Sequence, residues 1–197
     1  MSSFIVVAYF TVGTLYEARA KILERSLERN RVPYHIEGVP NLGSWLKNTN
    51  FKPTFIKSML QKFDENIVYV DVDAEFLQHP ILFEELGNDS DCNIAVHLFD
   101  RSCYVNSVGG FEVLSGTIFL RNCDWVKGIV NEWEARCQKH LHGEVDQKSL
   151  EHVLRGRFTE LPGEYCKIFD REPEVTEPVI VHYQASREVR RKRGRLI

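Results

Sequence analysis

The continuous apolar run Phe4-Ile-Val-Val-Ala-Tyr9 constrains the fold more than any other feature of this chain. Successive side chains of a strand point to opposite faces, so a run with no polar alternation is buried on both. Such a strand belongs inside a parallel sheet with helices on each side. The spacing that follows agrees. Leu15, Ala18, Ile22, Leu23 and Leu27 mark one face of a helix from about Tyr16 to Glu28. Pro33-Tyr-His-Ile-Glu37 then reads as a second short strand, completing a βαβ opening.

The segment from Val39 to Asn50 is rich in Asn, Gly and Pro and reads as a loop. A helix starts near Pro53, with Phe55, Ile56, Met59, Leu60 and Phe63 at helical spacing, and leads into Ile67-Val-Tyr-Val-Asp-Val-Asp73, a buried strand. Pro80 suits the first turn of a short helix through Leu86. Asn93 to Leu98 reads as a strand, Ser102 to Gly110 as a loop, and Glu112 to Leu120 as a strand interrupted at Ser115-Gly116. A long amphipathic helix carries Val126, Ile129, Val130, Trp133, Cys137 and Leu141 on its apolar stripe. Asp146 is placed to cap a further helix to about Arg155, and Val179-Ile-Val-His-Tyr183 is the last strand. Strands alternating with helices predict an α/β fold, a mainly parallel twisted sheet flanked by helices. The expectation is one compact domain over residues 1–186 and a basic tail over 187–197.

A chain of 197 residues, 43% hydrophobic and 27% charged, is long enough for a substantial core and ordinary for a globular protein. The net charge of −3 offers no global reason to bind nucleic acid. Arg187 to Arg195 nevertheless holds six basic residues and one acid, either a patch for phosphates or an anionic surface, or a solvated terminus. Five scattered cysteines without a C-x-x-C pair argue against a disulfide framework or zinc knuckle and suit a reducing cytosol. The run Phe4 to Phe10 is far shorter than the roughly 20 apolar residues of a membrane helix. It also lacks the basic flank and cleavage site of a signal peptide. The expectation is a cytoplasmic protein with no transmembrane segment.

Chemistry concentrates at Asp71-Val-Asp73. Alternation along the strand places both acids on one face, at the carboxyl edge where open α/β sheets bind ligands. Two hard oxygen donors there suit Mg²⁺ or Mn²⁺, against the plainer reading of solvated loop acids. His182, inside an apolar strand, is a satisfied core histidine or a third ligand. Lys52 begins a helix, where ammonium and helix N-terminus suit a phosphate, or it is merely solvated. Gly116 marks a bulge or a close approach of ligand to backbone. His140-x-His142 has metal-pair spacing, but at a helix end with no third ligand nearby it reads as solvent-facing.

Taken in order, six motifs carry a resemblance: Ala8-Tyr-Phe-Thr11; Gly43-Ser-Trp45 with Asn50-Phe-Lys-Pro53; Asp71-Val-Asp73; Gly116-Thr-Ile118; Asp146-Gln147; and His182-Tyr-Gln-Ala-Ser-Arg187. From Phe4 to Arg187 the chain resembles the nucleotide-diphospho-sugar transferases, metal-dependent glycosyltransferases of the GT-A fold, and especially their retaining, glycogenin-like families. The resemblance implies that Asp71, Asp73 and His182 hold Mn²⁺ or Mg²⁺ on the diphosphate of a nucleoside-diphosphate sugar, UDP-linked. It implies that Thr11 contacts the nucleotide with Tyr9 near the base, and that Lys52 and Arg187 assist the diphosphate. Gly116 and Thr117 are implied to lie against the donor, and Asp146 and Gln147 by the transferred hexose or pentose. Where glycogenin-like relatives follow the histidine with a glycine and a lysine in a slightly longer motif, this chain has Ala185-Ser-Arg187.

The implied reaction moves the sugar to a hydroxyl of a glycan, protein or small molecule, or, through the basic tail, of a modified base in DNA. The chain leaves little room for an acceptor domain, so the loops over 39–50 and 102–110, or a partner, are expected to recognise the acceptor. Two rivals remain. A haloacid-dehalogenase-type Mg²⁺ phosphatase also places D-x-D after an apolar strand, but needs a threonine where Glu75 stands and a later acid cluster. A non-catalytic sugar-nucleotide-binding module on the same scaffold would carry the fold without the reaction.

Overall fold

The computed structural model describes residues 3–103, 109–139 and 143–187. In chain order they form β1 (Phe4–Thr11), α1 (Tyr16–Arg29), β2 (Tyr34–Val39), α2 (Trp45–Asn50), α3 (Lys52–Lys62), β3 (Asn66–Val70), β4 (Ala74–Phe76), α4 (Ile81–Asn88) and β5 (Ile94–Asp100). Then come β6 (Phe111–Leu120), α5 (Asp124–Lys139), α6 (Asp146–Leu154), β7 (Thr159–Glu160), β8 (Lys167–Ile168) and β9 (Ile180–His182). Six strands make a sheet in the order β2-β1-β3-β6-β5-β7, and β4-β9-β8 make a smaller one. Within the larger sheet only β6 runs against its described neighbours, so the sheet is mainly parallel, as expected.

Period-two alternation divides β1 between two cores. Val7 and Tyr9 pack with Phe55 and Ile56 of α3, Trp133 of α5 and Leu150 of α6. Val6 and Ala8 pack with Leu23 and Leu27 of α1 and Phe83 of α4. Helices on both faces are what the unbroken apolar run requires. The buried face of α1 is Ala20, Leu23, Ser26 and Leu27, while Leu15 and Ile22 lie at its exposed margin. Ser26 belongs to that face and accepts a hydrogen bond from Phe76 N, 3.1 Å, where β4 packs on the helix.

Several local expectations are corrected. The 39–50 segment is not all loop. Ser44 accepts a hydrogen bond from Lys47 N and caps the short helix α2. The ladder of β3 stops at Val70, and Ala74 N donates to Asp71 O, 2.9 Å, so Asp71-Val-Asp73 occupies a turn and not a strand. β6 is one strand from Phe111 to Leu120, but its pairing with β5 is interrupted at Ser115-Gly116 as expected, where Leu114 to Thr117 stand opposite His97 alone. Val145, not Asp146, is the N-cap residue of α6, and Asp146 occupies its first turn. The apolar stripe of α5 is buried as expected from Val126 to Cys137. Leu141, His140, His142, residues 104–108 and the tail beyond Arg187 lie outside the described residues. No described helix is long and apolar enough to cross a membrane.

This topology assembles the site. Parallel β1 and β3 end at one edge of the sheet, delivering Thr11 and Asp71. Antiparallel β6 returns past that edge and places Gly116 O against Asp71 N, 2.8 Å. The smaller sheet brings His182 opposite Ala74, and α3 and α6 each begin at the same place.

Candidate active site

The edge opens into a cavity of about 520 Å³, in the range of pockets that enclose small molecules. Tyr9, Thr11, Asp71, Asp73, Asp146, Gln147 and Arg187 all line it, so most of the residues singled out in the sequence meet here.

Lys52 departs most from expectation. Its side chain is 2% exposed, and Nζ lies 3.0 Å from Asp71 Oδ1 and 2.8 Å from Asp146 Oδ2. It also donates to the carbonyl and hydroxyl oxygens of Ser115, each at 3.0 Å. An ammonium has three protons, and these neighbours take them all. Lys52 is therefore neither a solvated lysine nor a free phosphate ligand but a cationic bridge between two acids. Burial disfavours its charge, but Asp146 and Asp71 outweigh that and push its pKa up, so it stays protonated.

Around this bridge the acids are individually fixed. Tyr69 donates to Asp71 Oδ1, 2.9 Å, from two residues upstream, and its ring lies under Lys52 Nζ at 5.1 Å. Ser115 Oγ donates to Asp146 Oδ2, 2.8 Å. Enclosure raises the pKa of the Asp71 carboxyl, with Lys52 acting in the opposite sense and Asp73 adding to the rise. Asp73 is enclosed too, yet His182 and the Ala185 N–H, 2.7 Å from Oδ2, hold it below its ordinary value. Burial likewise lifts the Tyr9 and Tyr69 phenols, keeping both as proton donors, and Tyr9 donates to Asn48 O at 2.7 Å.

His182 is buried beside these acids. Its Nε2 shares a 2.8 Å hydrogen bond with Thr117 Oγ1, and Nδ1 lies 3.7 Å from Asp73 Oδ1. Burial disfavours the imidazolium, but Asp73 and the Cys166 thiol raise its pKa to about 10. Thr117 is fully buried against the ring, so it orients His182 and is not part of the cavity lining. Gly116 has no positive φ, and it lies in the stretch of β6 where the pairing with β5 is irregular. A Cβ there would sit 3.3 Å from His182 Cε1, 3.5 Å from His182 Nδ1 and 3.5 Å from Asp71 Oδ2. The missing side chain gives the imidazole room to lie over the strand next to the carboxylate.

Asp71 and His182 meet over Gly116, with Asp73 3.7 Å from the imidazole, and carboxylate and imidazole are ligand types that divalent cations accept. Among the described residues no three such groups are drawn together as a closed coordination cluster. Arg187 reaches the cavity rim but pairs with Asp170, Nη1 to Oδ2 2.6 Å, above the ring of Phe169. Gln147 is anchored at both ends of its amide: Oε1 accepts from Ser115 N, 3.3 Å, and Nε2 donates to Glu112 Oε1, 2.7 Å. Sequence reasoning missed Tyr69, the Ser115 hydroxyl as a partner of Lys52 and Asp146, and Glu112. For Tyr69 alone there was a signal, its position two residues before Asp71.

No family model and no curated protein sequence matches the chain. Solved structures do. A glycosyltransferase involved in the glycosylation of the major capsid of PBCV-1 superposes with a TM-score of 0.73 at 15% identity, covering 98% of this chain and 99% of that one. The apo form of the glycosyltransferase GlyE from Streptococcus pneumoniae TIGR4 gives 0.59 at 18% identity, with 91% of this chain spanning 54% of GlyE, about half its length. The galactosyltransferase LgtC, in complex with donor and acceptor sugar analogs, gives 0.58 at 11% identity, covering 91% and 87%. The likeness is one of fold: the chain has the GT-A-like architecture of these glycosyltransferases.

Proposed function

We propose that this chain is a glycosyltransferase, moving a hexose or pentose from a nucleoside-diphosphate sugar, UDP-linked, to an acceptor hydroxyl. The observation that carries the proposal is the approach of Asp71 and His182 over Gly116, with Asp73 3.7 Å from the same imidazole, at the edge of a sheet with this fold. Those three residues would hold Mn²⁺ or Mg²⁺. Bound there, the ion would neutralise the diphosphate that leaves when the sugar–phosphate bond breaks.

The chain's own residues supply the rest. Lys52 holds Asp71 and Asp146 at fixed positions, and Thr117 keeps His182 Nδ1 turned toward Asp73. Asp146 and Gln147, locked by Ser115, position the transferred sugar. Thr11 and Tyr9 border the nucleotide, and Arg187 swings from Asp170 to the diphosphate. Retention of anomeric configuration follows from the family resemblance.

The test is a screen of UDP-, GDP-, CDP- and ADP-sugars with Mn²⁺ or with a chelator. A transferase releases nucleoside diphosphate from one of them, only with the metal. Release of inorganic phosphate would indicate the phosphatase reading, and binding without release the non-catalytic one.

A further inference from the structure

Carboxylates dominate the cavity, and Glu112 is unlike the others. Asp71, Asp73 and Asp146 are each held by cationic or backbone groups of the protein. Glu112, on β6 facing the same cavity, takes only the hydrogen bond from Gln147 Nε2, on Oε1. Its Oε2 and the second Gln147 amide proton have no partner among the described residues. An acceptor oxygen and a donor N–H thus stand side by side, on groups already fixed to each other. A vicinal diol matches that pair, since each hydroxyl both donates and accepts. On the segment expected to recognise an acceptor, the Trp45 indole lines the same cavity and is 41% exposed. A flat aromatic face with negative quadrupole suits the C–H face of a sugar ring.

We infer that the acceptor is a carbohydrate, its ring on Trp45 and its vicinal hydroxyls on the Glu112–Gln147 pair. The inference rests on the sugar-transfer reading and names the acceptor class for it. Charge separates this class from nucleic acid. Four carboxylates face the cavity, and its cations are paired, Lys52 with Asp71 and Asp146 and Arg187 with Asp170. A phosphate backbone would be repelled there.

The indole N–H resonance of Trp45, identified by its loss in Trp45→Phe, reports occupancy without any turnover. The full chain with Mn²⁺ and UDP is titrated separately with methyl glycosides of glucose, galactose, mannose and xylose, with a serine- and threonine-containing peptide, and with hydroxymethylated duplex DNA. At least one glycoside should move the resonance saturably, and Glu112→Ala should weaken that binding about tenfold or more, as expected for a lost hydrogen bond to a charged group. Glu112→Gln serves if the alanine variant does not fold, with a smaller loss. The inference is overturned if no glycoside moves the resonance, if the peptide or the DNA does so instead, or if neither Glu112 variant changes the affinity. Donor cleavage with an unresponsive Trp45 would defeat the acceptor assignment alone. Glycoside binding at Trp45 without donor cleavage would defeat only the transferase reading.

Discussion

Lys52 Nζ stands 2.8 Å from Asp146 Oδ2, tying the first turn of α3 to the first turn of α6 inside the protein. The two residues lie on helices separated in sequence by four strands, and the contact is almost wholly buried. Because the same ammonium also holds Asp71, the lysine joins the acid after β3 to the acid in the first turn of α6.

Removing that cation leaves buried negative charge uncompensated. Lys52→Met should lower unfolding free energy by about 3–5 kcal/mol, the range for one partner lost from a buried pair. In urea denaturation the double variant Lys52→Met/Asp146→Leu should recover part of that loss, since no charge then remains to be buried at α6. A single variant as stable as the parent would mean that the bridge is not structural.

Gly116 offers a probe of the site. Gly116→Ala places a methyl group 3.3 Å from His182 Cε1, so the imidazole must shift by a few tenths of an ångström, while Asp71 Oδ2 at 3.5 Å is in ordinary contact. Mn²⁺ affinity by calorimetry should fall about tenfold, the scale of disturbances just outside a metal's ligands. Unchanged affinity would place the ion elsewhere.

Acid sensitivity should centre on Glu144, just ahead of α6. Hydrogen bonds from Arg136, at 2.8 and 3.0 Å, draw its pKa down from 4.5 to about 2, against partial burial and with help from Ser149. The folded value lies below the unfolded one, so this stabilisation is complete above pH 4.5 and is lost as pH falls toward 2. Melting curves across that window should fall less steeply with acid for Glu144→Gln than for the parent. Parallel acid limbs would remove Glu144 as the cause.

Arg187 is held by Asp170, so a diphosphate bound by Arg187, as proposed, would have to compete with that carboxylate. Asp170→Asn should tighten nucleoside-diphosphate binding by about threefold, consistent with the small worth of an ion pair open to solvent. Weaker binding in that variant would show that Asp170 positions the arginine instead of retaining it.

The layers of the fold were legible because periodicity reports burial directly, as in the unbroken run of β1 and the stripe of α5. The 39–50 segment was misread because Asn, Gly and Pro advertise a loop, while α2 depends on one cap, Ser44, and spans only six residues. Asp71 and Asp73 were rightly singled out for a wrong reason. Strand alternation does not bring them together, since a turn begins at Asp71 and each acid is held by different partners. Lys52 shows the deeper limit: its place at a helix start was visible, but its burial depends on Ser115 and Asp146, 63 and 94 residues away. Glu112 was overlooked because a charged residue near a strand end resembles any solvated one until Gln147 is seen beside it.

The central claim is that Asp71, Asp73 and His182 join a cation to a diphosphate, and UDP binding measured with Mn²⁺ and with a chelator tests it most directly. The account predicts that Mn²⁺ tightens UDP binding by about tenfold or more in the parent chain, as for a charge-neutralising ligand, and that Asp73→Asn and His182→Ala each abolish the gain. Equal affinity with and without the metal, or a metal effect that survives both substitutions, would contradict it.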